Sequence, residues 1–478
     1  MASRAQASVL IVAAVSFACL VGTSQSKNGL STASSVEPNT TTTSSSTARS
    51  ASQLNGVGVS PFLEHKETMA ARRLDATTEA WSFIDAFGEI YGDHGHSVVE
   101  LNDSSLVMIG YVFVNFGVQG ALSLQVDAKG ALRWAQATSG VDSDVSISGA
   151  KLADGGLVIA SSRYVSSYDM FAMKLSADGA VRWAQQVGGG GHDFAYTTIG
   201  LDDGGLAVAG YTKSFGSSDY EWLVTTFSSE GPLRWAQVLE GCSSGEPRSM
   251  TELVDGGLAV AGYTDDFGAG SNDALAILLD TEGRLQWAQV LGGSGDDRAQ
   301  SSFGLADGGI VVAGYTGSFG AGNSDALVMK FCSNGRLLWA QALGGDSWDN
   351  AKSIVELGDG GLAFAGSTST FGAGSQDALV VKLSHDGRLL WARTVGGTSS
   401  DYANSIVELA DGGLAVAGST ENIGAGDYDA MITRLDANGW GDNCSGVVDI
   451  ANITDLIVIT IRILLQWRIL LLLLVLSM

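Results

Sequence analysis

Short apolar runs alternate with clusters of Gly, Asp and Ser along most of this chain. In one stretch the apolar runs span residues 350–357, 362–368, 378–383 and 388–395. The segments between them are D-G-G, F-G-A-G-S-Q-D and S-H-D-G, whose Gly and Asp residues favour tight turns. Runs of this length, rich in Val, Leu, Ile and Ala and bounded by turns, predict β-strands rather than helices.

The pattern repeats along the chain at a nearly constant step. Two markers set the register, and the step between copies is 52 residues in the regular part and 49 or 51 in the early copies. The first marker is the Asp of the D-G-G turn, at Asp154, Asp203, Asp255, Asp307, Asp359 and Asp411, with a degenerate copy at Asp103. The second is the Trp of W-A-Q or a close variant, at Trp134, Trp183, Trp235, Trp287, Trp339 and Trp391. A period of this size predicts a repeat architecture.

Four strands in every 40–50 residues predict the blade of a β-propeller, whereas a helical solenoid would need a 3.6-residue period that is absent. Seven D-G-G-type turns predict seven blades of four antiparallel strands. The last copy, 401–435, lacks its outer strand, and residues 80–88 resemble that strand. We therefore expect an all-β, seven-bladed ring over 77–441, closed by an N-terminal outer strand that joins the last blade and leaves no free edge.

The segments outside the ring differ from it in composition. Residues 1–26 have the short apolar core of a secretory signal peptide, and 27–76 form a Ser/Thr-rich linker that we expect to be disordered. The tail, 442–478, contains an apolar segment at 456–478, interrupted by Arg462 and Arg468. That segment is compatible with a membrane span, an anchor signal or an erroneous chain end. Candidate glycosylation sequons begin at Asn39, Asn102, Asn443 and Asn452.

The charge balance excludes some partners. The chain has 51 acidic and 26 basic residues, a net charge of −25, which argues against nucleic acid and against anionic membrane surfaces. The three cysteines that remain after removal of the signal form no metal-binding or disulfide pattern. We expect no resident cofactor, a secreted or surface location and a monomer.

Two sets of acidic residues are expected on one face of the ring. The loops that lead from one blade into the next contribute Asp93, Asp144, Asp193, Asp297, Asp349 and Asp401. The loops between the second and third strands contribute Asp169, Asp273, Asp325, Asp377 and Asp429, with Glu221 in one copy. A carboxylate-rich rim could bind Ca²⁺, since hard cations need several oxygen ligands. The alternative is that each Asp caps a turn, which its regular repetition favours.

Other polar and aromatic residues suggest structural roles. The Trp residues are expected to pack between blades, and small polar residues of the inner strands suit a solvated channel: Ser97, Ser146, Ser148, Thr197, Ser249, Ser301, Ser353 and Ser405. His94, His96 and His192 pair with no evident nucleophile. Three irregular stretches, 164–169, 217–222 and 240–248, depart from the repeat and are candidate partner surfaces.

These repeats resemble the bacterial-type β-propeller repeats of secreted and surface proteins. The shared unit is G-G-L-A-V-A-G-Y-T-x-S-F-G-A-G, followed by D-A-L-V and G-R-L-x-W-A-Q, and it covers about 360 residues. The G-x-x-x-W spacing, as at Gly335 and Trp339, also resembles the Trp-docking motif of quinoproteins, but no quinone-binding residues match. The resemblance implies the fold and, by analogy, a binding or scaffolding role.

Three functions remain open from the sequence. The first is a non-enzymatic, secreted or surface-tethered interaction module that binds a protein or glycan on the loop face, with a possible membrane tether at the C terminus. The second is a Ca²⁺-dependent, lectin-like or protein-binding propeller. The third is a hydrolase or lyase that acts at the mouth of the channel.

Overall fold

The structure is a computed structural model that describes residues 145–440 with gaps at 165–166, 217–219, 240–241, 243–244 and 423–427. It also describes 84–87, 94–101, 103, 105–115, 118–127 and 132–138, together with 49–50, 59–61, 72–73, 447–449 and 457–461. The predicted signal peptide and the asparagine of each glycosylation sequon lie outside the described residues.

Seven antiparallel sheets form the fold, and each contains four strands that we call a to d from the centre outward. Four strands come first in the chain: β1 (Arg49–Ser50), β2 (Val59–Pro61), β3 (Arg72–Arg73) and β4 (Ile84–Phe87). Blade 1 contains β5 (His94–Glu100), β6 (Leu106–Asn115), β7 (Val118–Val126) and β8 (Leu132–Thr138). Blade 2 contains β9 (Val145–Lys151), β10 (Leu157–Tyr164), β11 (Tyr168–Leu175) and β12 (Val181–Val187).

The next three blades follow the same order. Blade 3 contains β13 (Asp193–Gly200), β14 (Leu206–Thr212), β15 (Glu221–Phe227) and β16 (Leu233–Leu239). Blade 4 contains β17 (Glu246–Glu252), β18 (Leu258–Thr264), β19 (Asp273–Leu279) and β20 (Leu285–Leu291). Blade 5 contains β21 (Asp297–Gly304), β22 (Ile310–Thr316), β23 (Asp325–Phe331) and β24 (Leu337–Gly344).

The last two blades complete the ring. Blade 6 contains β25 (Asp349–Glu356), β26 (Leu362–Thr368), β27 (Asp377–Leu383) and β28 (Leu389–Val395). Blade 7 contains β29 (Asp401–Glu408), β30 (Leu414–Thr420) and β31 (Asp429–Leu435), and its fourth strand is β4. Ala430 pairs with Phe87 and Thr433 with Ile84. The predicted seven-bladed propeller and its closure by an N-terminal strand are confirmed.

The a–b turn shows why the D-G-G sequence recurs. Gly308 has φ of 77°, a conformation that only Gly adopts readily, and its N–H donates to Leu305 O at 2.9 Å. Asp307 Oδ1 accepts the N–H of Gly309 at 2.9 Å, which fixes the turn from the side. The same Asp forms an ion pair with Lys330 on strand c, so that one residue ties the turn to the sheet.

The hydrophobic core lies between neighbouring blades. Strands b and c are buried on both faces, which explains their nearly continuous apolar sequences. At the junction of blades 4 and 5, for example, Ala276 packs in one cluster with Val312 and Phe331. Burying one such Phe side chain contributes about 1.5–3 kcal/mol, so the junctions hold the blades together.

The Trp of strand d joins each blade to the next, which is the packing role expected from the sequence. Trp287 Nε1 donates to Ser333 O in the following blade at 3.0 Å, and its ring stacks on Phe331. Gly335, with φ of 79°, lies against the indole, and a Cβ there would be 2.8 Å from the Trp287 ring. The same contact recurs between Trp235 and Gly283 and between Trp391 and Gly439.

Five short strands extend the outer edges of blades. β1, β2 and β3 pair with β12, β8 and β4, respectively. From the C-terminal part, β32 (Val447–Asp449) pairs with β28 and β33 (Ile457–Ile461) pairs with β24. Part of the apolar segment 456–478 is therefore a fifth strand of blade 5. No helix in the described part of the chain has the length and hydropathy of a membrane span.

The two ends of the ring differ. The b–c loops and the d–a loops share one face, which we call the mouth face, and isolated bridges join them, as between Asn272 and Asp296. The a–b and c–d turns form the opposite face, which we call the turn face. The a strands contact one another from blade to blade, and β29 contacts β5, so they line a closed central channel.

Candidate functional site: the channel mouth

Strand a carries one irregularity that repeats around the channel. Its register with strand b slips by one residue after the third position, as between Ala195 and Thr197 or between Ala351 and Ser353. A β-bulge of this kind redirects the skipped side chain and is common next to functional sites. The residues at the bulge position are His96, Tyr196, Arg248, Gln300, Lys352 and Asn404.

The bulge position differs in chemistry in every one of these blades, although most of the repeat is nearly constant. The residue two places earlier on strand a also varies: His94, Phe194, Glu246, Arg298, Asn350 and Tyr402. In blades 3 to 7 these side chains are half-buried or exposed, while the residues between them are buried. On the innermost strand such exposure opens onto the channel. We call these two sets of positions the channel mouth.

An arginine and two tyrosines meet at the mouth in blades 3 and 4. Arg248 lies over the Tyr196 ring at 5.0 Å and over the Tyr263 ring at 5.8 Å, and it forms an ion pair with Glu246. The hydroxyl of Tyr196 donates to Glu246 Oε1 at 2.9 Å. Arg–Tyr stacking and a shared carboxylate hold these side chains in one arrangement.

A second arginine occupies the mouth in blade 5. Arg298 lies 4.3 Å from the centroid of the Tyr263 ring, which Arg248 also contacts. Its Nε bonds Asp296 Oδ1 at 3.0 Å, and Tyr315 donates to Asp296 Oδ2 at the same distance. Both arginines are thus oriented by an acidic residue of the same loop or strand.

Aromatic rings continue the surface into blades 2 and 3. Tyr211 packs against Phe194, Tyr196 and Tyr220, with ring centroids 4.9, 5.5 and 4.6 Å away. Tyr168 lies 4.6 Å from Phe194, and the Tyr168 N–H donates to Nδ1 of His192 at 3.2 Å. His192 is thereby assigned a structural bond rather than a catalytic partner.

Tyr196, Tyr211 and Tyr315 are protonated at neutral pH, because their surroundings raise the pKa of each phenol. Burial, followed by the negative charge of Glu246, raises the pKa of Tyr196 far above its ordinary value. Burial raises the pKa of Tyr211 to about 12 and also raises that of Tyr315. These phenols can donate hydrogen bonds, but they cannot serve as bases at neutral pH.

Lys352 is an exposed cation of the mouth. It makes no hydrogen bond or ion pair with any residue that the structure describes. Desolvation by the surrounding channel wall lowers its pKa, and the positive charge of Arg248 lowers it further. The side chain reaches solvent, but that solvent is inside the channel, so its charge is only partly hydrated.

The described members of the first predicted set of acidic residues are buried. Asp193, Asp297, Asp349 and Asp401 begin strand a and are at most 1% exposed. In blade 5, Asp297 Oδ2 accepts Gly293 N–H at 2.8 Å and the Ser318 hydroxyl at 2.5 Å, and Oδ1 accepts the Thr316 hydroxyl. These are turn-fixing bonds, as in the alternative that the sequence left open. Blade 4 has Gly245 at this position.

Most described members of the second predicted set are buried as well, and Asp169 is half-buried. Asp273, Asp325 and Asp377 begin strand c and are at most 2% exposed. Asp325 Oδ2 accepts Ala321 N–H at 3.0 Å and Gly322 N–H at 3.3 Å. Glu221, in the same position of blade 3, accepts Cys242 N–H at 3.3 Å. Asp169 accepts the Gln186 amide at 2.5 Å.

The structure brings the two sets together in pairs across each junction. A Cβ placed on Gly344 would be 2.8 Å from Asp349 Oδ2 and would overlap Asp325 Oδ1. Equivalent pairs flank Gly292 (Asp273 and Asp297) and Gly396 (Asp377 and Asp401). Oδ1 of Asp273 and of Asp325 is buried without a hydrogen-bond partner. Burial and the neighbouring carboxylate raise the pKa of Asp273, and they raise that of Asp325 to about 6.

Several predicted positions remain outside this description. Asp93 and Asp144 fall on residues that the structure does not describe, and Asp429 pairs with Thr420 at the start of β31. Within the described residues no group of three or more His, Cys, Asp or Glu side chains could hold a metal ion. The calcium prediction for these acidic residues stays a prediction.

Four of the small polar residues of strand a join neighbouring blades. Ser301 Oγ accepts the N–H of Ile354 in the next blade at 3.1 Å, and Ser249 Oγ accepts that of Ser302 at 2.8 Å. Ser148 and Ser353 make the same contact with Thr198 and Ile406.

The sequence located part of the mouth and missed the rest. The irregular stretches 217–222 and 240–248 contain Tyr220, Glu246 and Arg248, which belong to the cluster. Arg298, Gln300 and Lys352 lie in copies that otherwise follow the repeat, so they were not singled out. The sequence did carry a signal for them: the residues one and three places after the Asp that begins strand a differ from copy to copy.

Comparisons with known proteins agree with the fold and assign no family. No protein-family model matches the chain. The chain is 25% identical over 224 residues to the regulatory protein FlaEY of Caulobacter vibrioides, a match that covers 39% of this chain and 23% of that protein. The chain thus matches less than a quarter of that relative's length.

Solved structures with a similar arrangement share little sequence. The β-propeller domain of the trilobed protease from Pyrococcus furiosus is 9% identical, with a TM-score of 0.39, over 76% of this chain and 97% of that one. The WD40 domain of Neurospora crassa Pan2 is 10% identical, with a TM-score of 0.43, over 71% and 88%. A puromycin hydrolase is 14% identical, with a TM-score of 0.47, over 76% and 55%. These likenesses concern the fold alone.

Proposed function

We propose that this propeller is a non-enzymatic binding module, secreted or tethered at a cell surface, that holds its ligand at the channel mouth of blades 3 to 6. One observation carries the proposal. The turn, junction and core positions repeat from blade to blade, whereas the bulge positions, which open onto the channel, change. Positions that maintain the fold need the same residue in every blade, but recognition of an asymmetric ligand needs different ones.

The chemistry of the mouth supports binding over catalysis. The tyrosines whose pKa is raised by burial are protonated, the two arginines are already oriented by carboxylates, and the histidine contact is with a backbone amide. Rigid Tyr and Arg side chains that are held by their neighbours are typical of binding surfaces, since little conformational entropy is lost on contact. The apolar N-terminal segment and the Ser/Thr-rich linker support a secreted or surface location.

Steric closure of the mouth tests the proposal even while the ligand is unidentified. Wild type would be screened on a glycan array and a peptide array, each with Ca²⁺ and with chelator. Gln300→Trp fills the channel from a half-exposed position, and Thr281→Trp places the same side chain on the turn face. We expect Gln300→Trp to weaken every specific hit by about tenfold or more, and Thr281→Trp to leave them unchanged.

Three results would contradict the proposal in different ways. Hits that survive Gln300→Trp would place the site elsewhere. Turnover of a bound ligand would favour the hydrolase or lyase alternative. Binding that chelator abolishes, together with a melting temperature that Ca²⁺ raises, would favour the calcium-dependent alternative.

A further inference from the structure

We infer that the channel mouth recognises a single sugar acid, free or at the end of a chain, whose carboxylate lies between Arg248 and Lys352 and whose hydroxyls bond Gln300. The inference rests on the proposed function, because it names the ligand class of the same site. It is carried by three consecutive bulge positions in blades 4, 5 and 6.

The first step is the placement of the two cations. Arg248 and Lys352 occupy the same position of strand a in blades 4 and 6, with Gln300 between them in blade 5. Their charges act on each other, since Arg248 contributes to lowering the pKa of Lys352. Two cations held on one wall of a channel define a place where an anion is favoured. A solvated surface lysine, the ordinary alternative, would be free to turn away from the arginine.

The second step is the charge balance of the mouth. Arg248 is paired with Glu246, and Arg298 with Asp296. Lys352 has no such partner among the described residues. These five side chains therefore leave one uncompensated positive charge, which suits one carboxylate. An acidic peptide with several charges would also meet repulsion from a protein whose net charge is −25.

The third step concerns the groups beside the cations. The Gln300 side chain is half-buried and makes no hydrogen bond with the residues that the structure describes. Its amide offers both donors and an acceptor, the combination that a sugar hydroxyl needs. A small acid without hydroxyls would leave these groups unused.

Titration calorimetry of the full chain with defined probes tests the inference. The probes are glucuronate and galacturonate, the neutral sugars glucose and galactose, acetate, and a short glutamate-containing peptide. We expect a sugar acid to bind about tenfold or more tightly than its neutral counterpart and than acetate.

Two variants separate a specific contact from a general effect of charge. Lys352→Met keeps the aliphatic stem and breaks no bond of the described structure, so it should fold with an unchanged melting temperature. It should weaken sugar-acid binding by about tenfold or more. Lys213→Met, which removes an exposed cation over Tyr220 on the same face, should change binding by less than about twofold.

The possible outcomes separate the sugar-acid ligand from the more general proposal that the mouth is the binding site. Equal affinity for acid and neutral sugars, preference for acetate or the peptide, or full binding by Lys352→Met would overturn the sugar acid but leave the mouth as the site. If no probe binds and the array hits also ignore Gln300→Trp, both conclusions are wrong.

Discussion

At the scale of single residues, the Gly at the end of strand d in blades 4, 5 and 6 is required by the two carboxylates beside it. Gly344 lies between Asp325 and Asp349, and the space that a Cβ would need is filled by their oxygens. These carboxylates cannot withdraw, because backbone and hydroxyl donors hold them. Gly344 does not have a positive φ, so the contact with the two carboxylates, and not the turn conformation, explains why this residue is Gly.

Substitution of this Gly should therefore destabilise the ring. We expect Gly344→Ala to lower stability by about 1–3 kcal/mol through overpacking, visible as a lower melting temperature. Gly190→Ala is the matched control, since it lies in an equivalent loop with no atom within 4 Å of its Cβ position. Equal melting temperatures for the two variants would contradict the packing argument.

At the scale of elements, the junction between blades is more than an apolar contact. It combines the buried b and c strands, a Trp–turn contact, Ser-to-backbone bonds between a strands, and the Asp pairs. The unpartnered Oδ1 of Asp325 is explained if that carboxyl keeps a proton, because two buried carboxylates at one place cannot both ionise easily.

The Asp pairs predict that stability falls as pH rises. Burial, aided by Asp349, raises the pKa of Asp325 to about 6, above its unfolded value of 3.8. Its contribution is complete below about pH 4 and is lost as pH rises through 6. The bonds of Asp359 to Lys382 and Gly361 lower the pKa of this carboxyl. Its contribution to stability is therefore present at neutral pH and is lost only as the pH falls below about 4.

Asp325→Asn isolates this contribution. The amide keeps an acceptor for the loop N–H groups and cannot ionise, so between pH 4 and 7 the variant should lose less stability than wild type, by on the order of 2–3 kcal/mol. Melting temperatures across this range, with Asp359→Asn as control, measure the difference. A constant difference between Asp325→Asn and wild type would show that Asp325 is ionised throughout.

At the scale of the whole molecule, closure of the ring depends on β4, which pairs with β31 as the outer strand of blade 7. A chain that begins at residue 90 would leave the edge of β31 unpaired, whereas one that begins at residue 77 keeps it covered. We expect the shorter chain to melt at a clearly lower temperature and to associate through its free edge in size-exclusion chromatography. Similar melting and elution of both chains would contradict this form of closure.

Closure of the ring is also needed to form the channel mouth, because a channel exists only when all seven a strands surround it. Arg248 and Lys352 belong to blades separated by a full repeat, and their mutual effect arises only in the ring. Binding at the mouth should therefore be lost with closure, while isolated blades would retain no part of it.

The sequence by itself determined the blade count, the four strands of each blade, the closing strand and the packing role of Trp. These follow from periodicity and turn chemistry, which are local properties repeated many times, so one irregular copy does not obscure them. The same repetition correctly favoured a turn-fixing arrangement for residues such as Asp297.

Only the tertiary structure decided which side chains meet. Asp273 and Asp297 form a pair because the end of one blade folds against the start of the next, and no spacing in the sequence states that both are buried. Arg248, Gln300 and Lys352 share the channel because a bulge turns each of them toward it, and a bulge depends on strand pairing. Burial and proximity set the charge of a carboxylate or an ammonium, so the chemistry of the junctions and of the mouth appears only when the ring is closed.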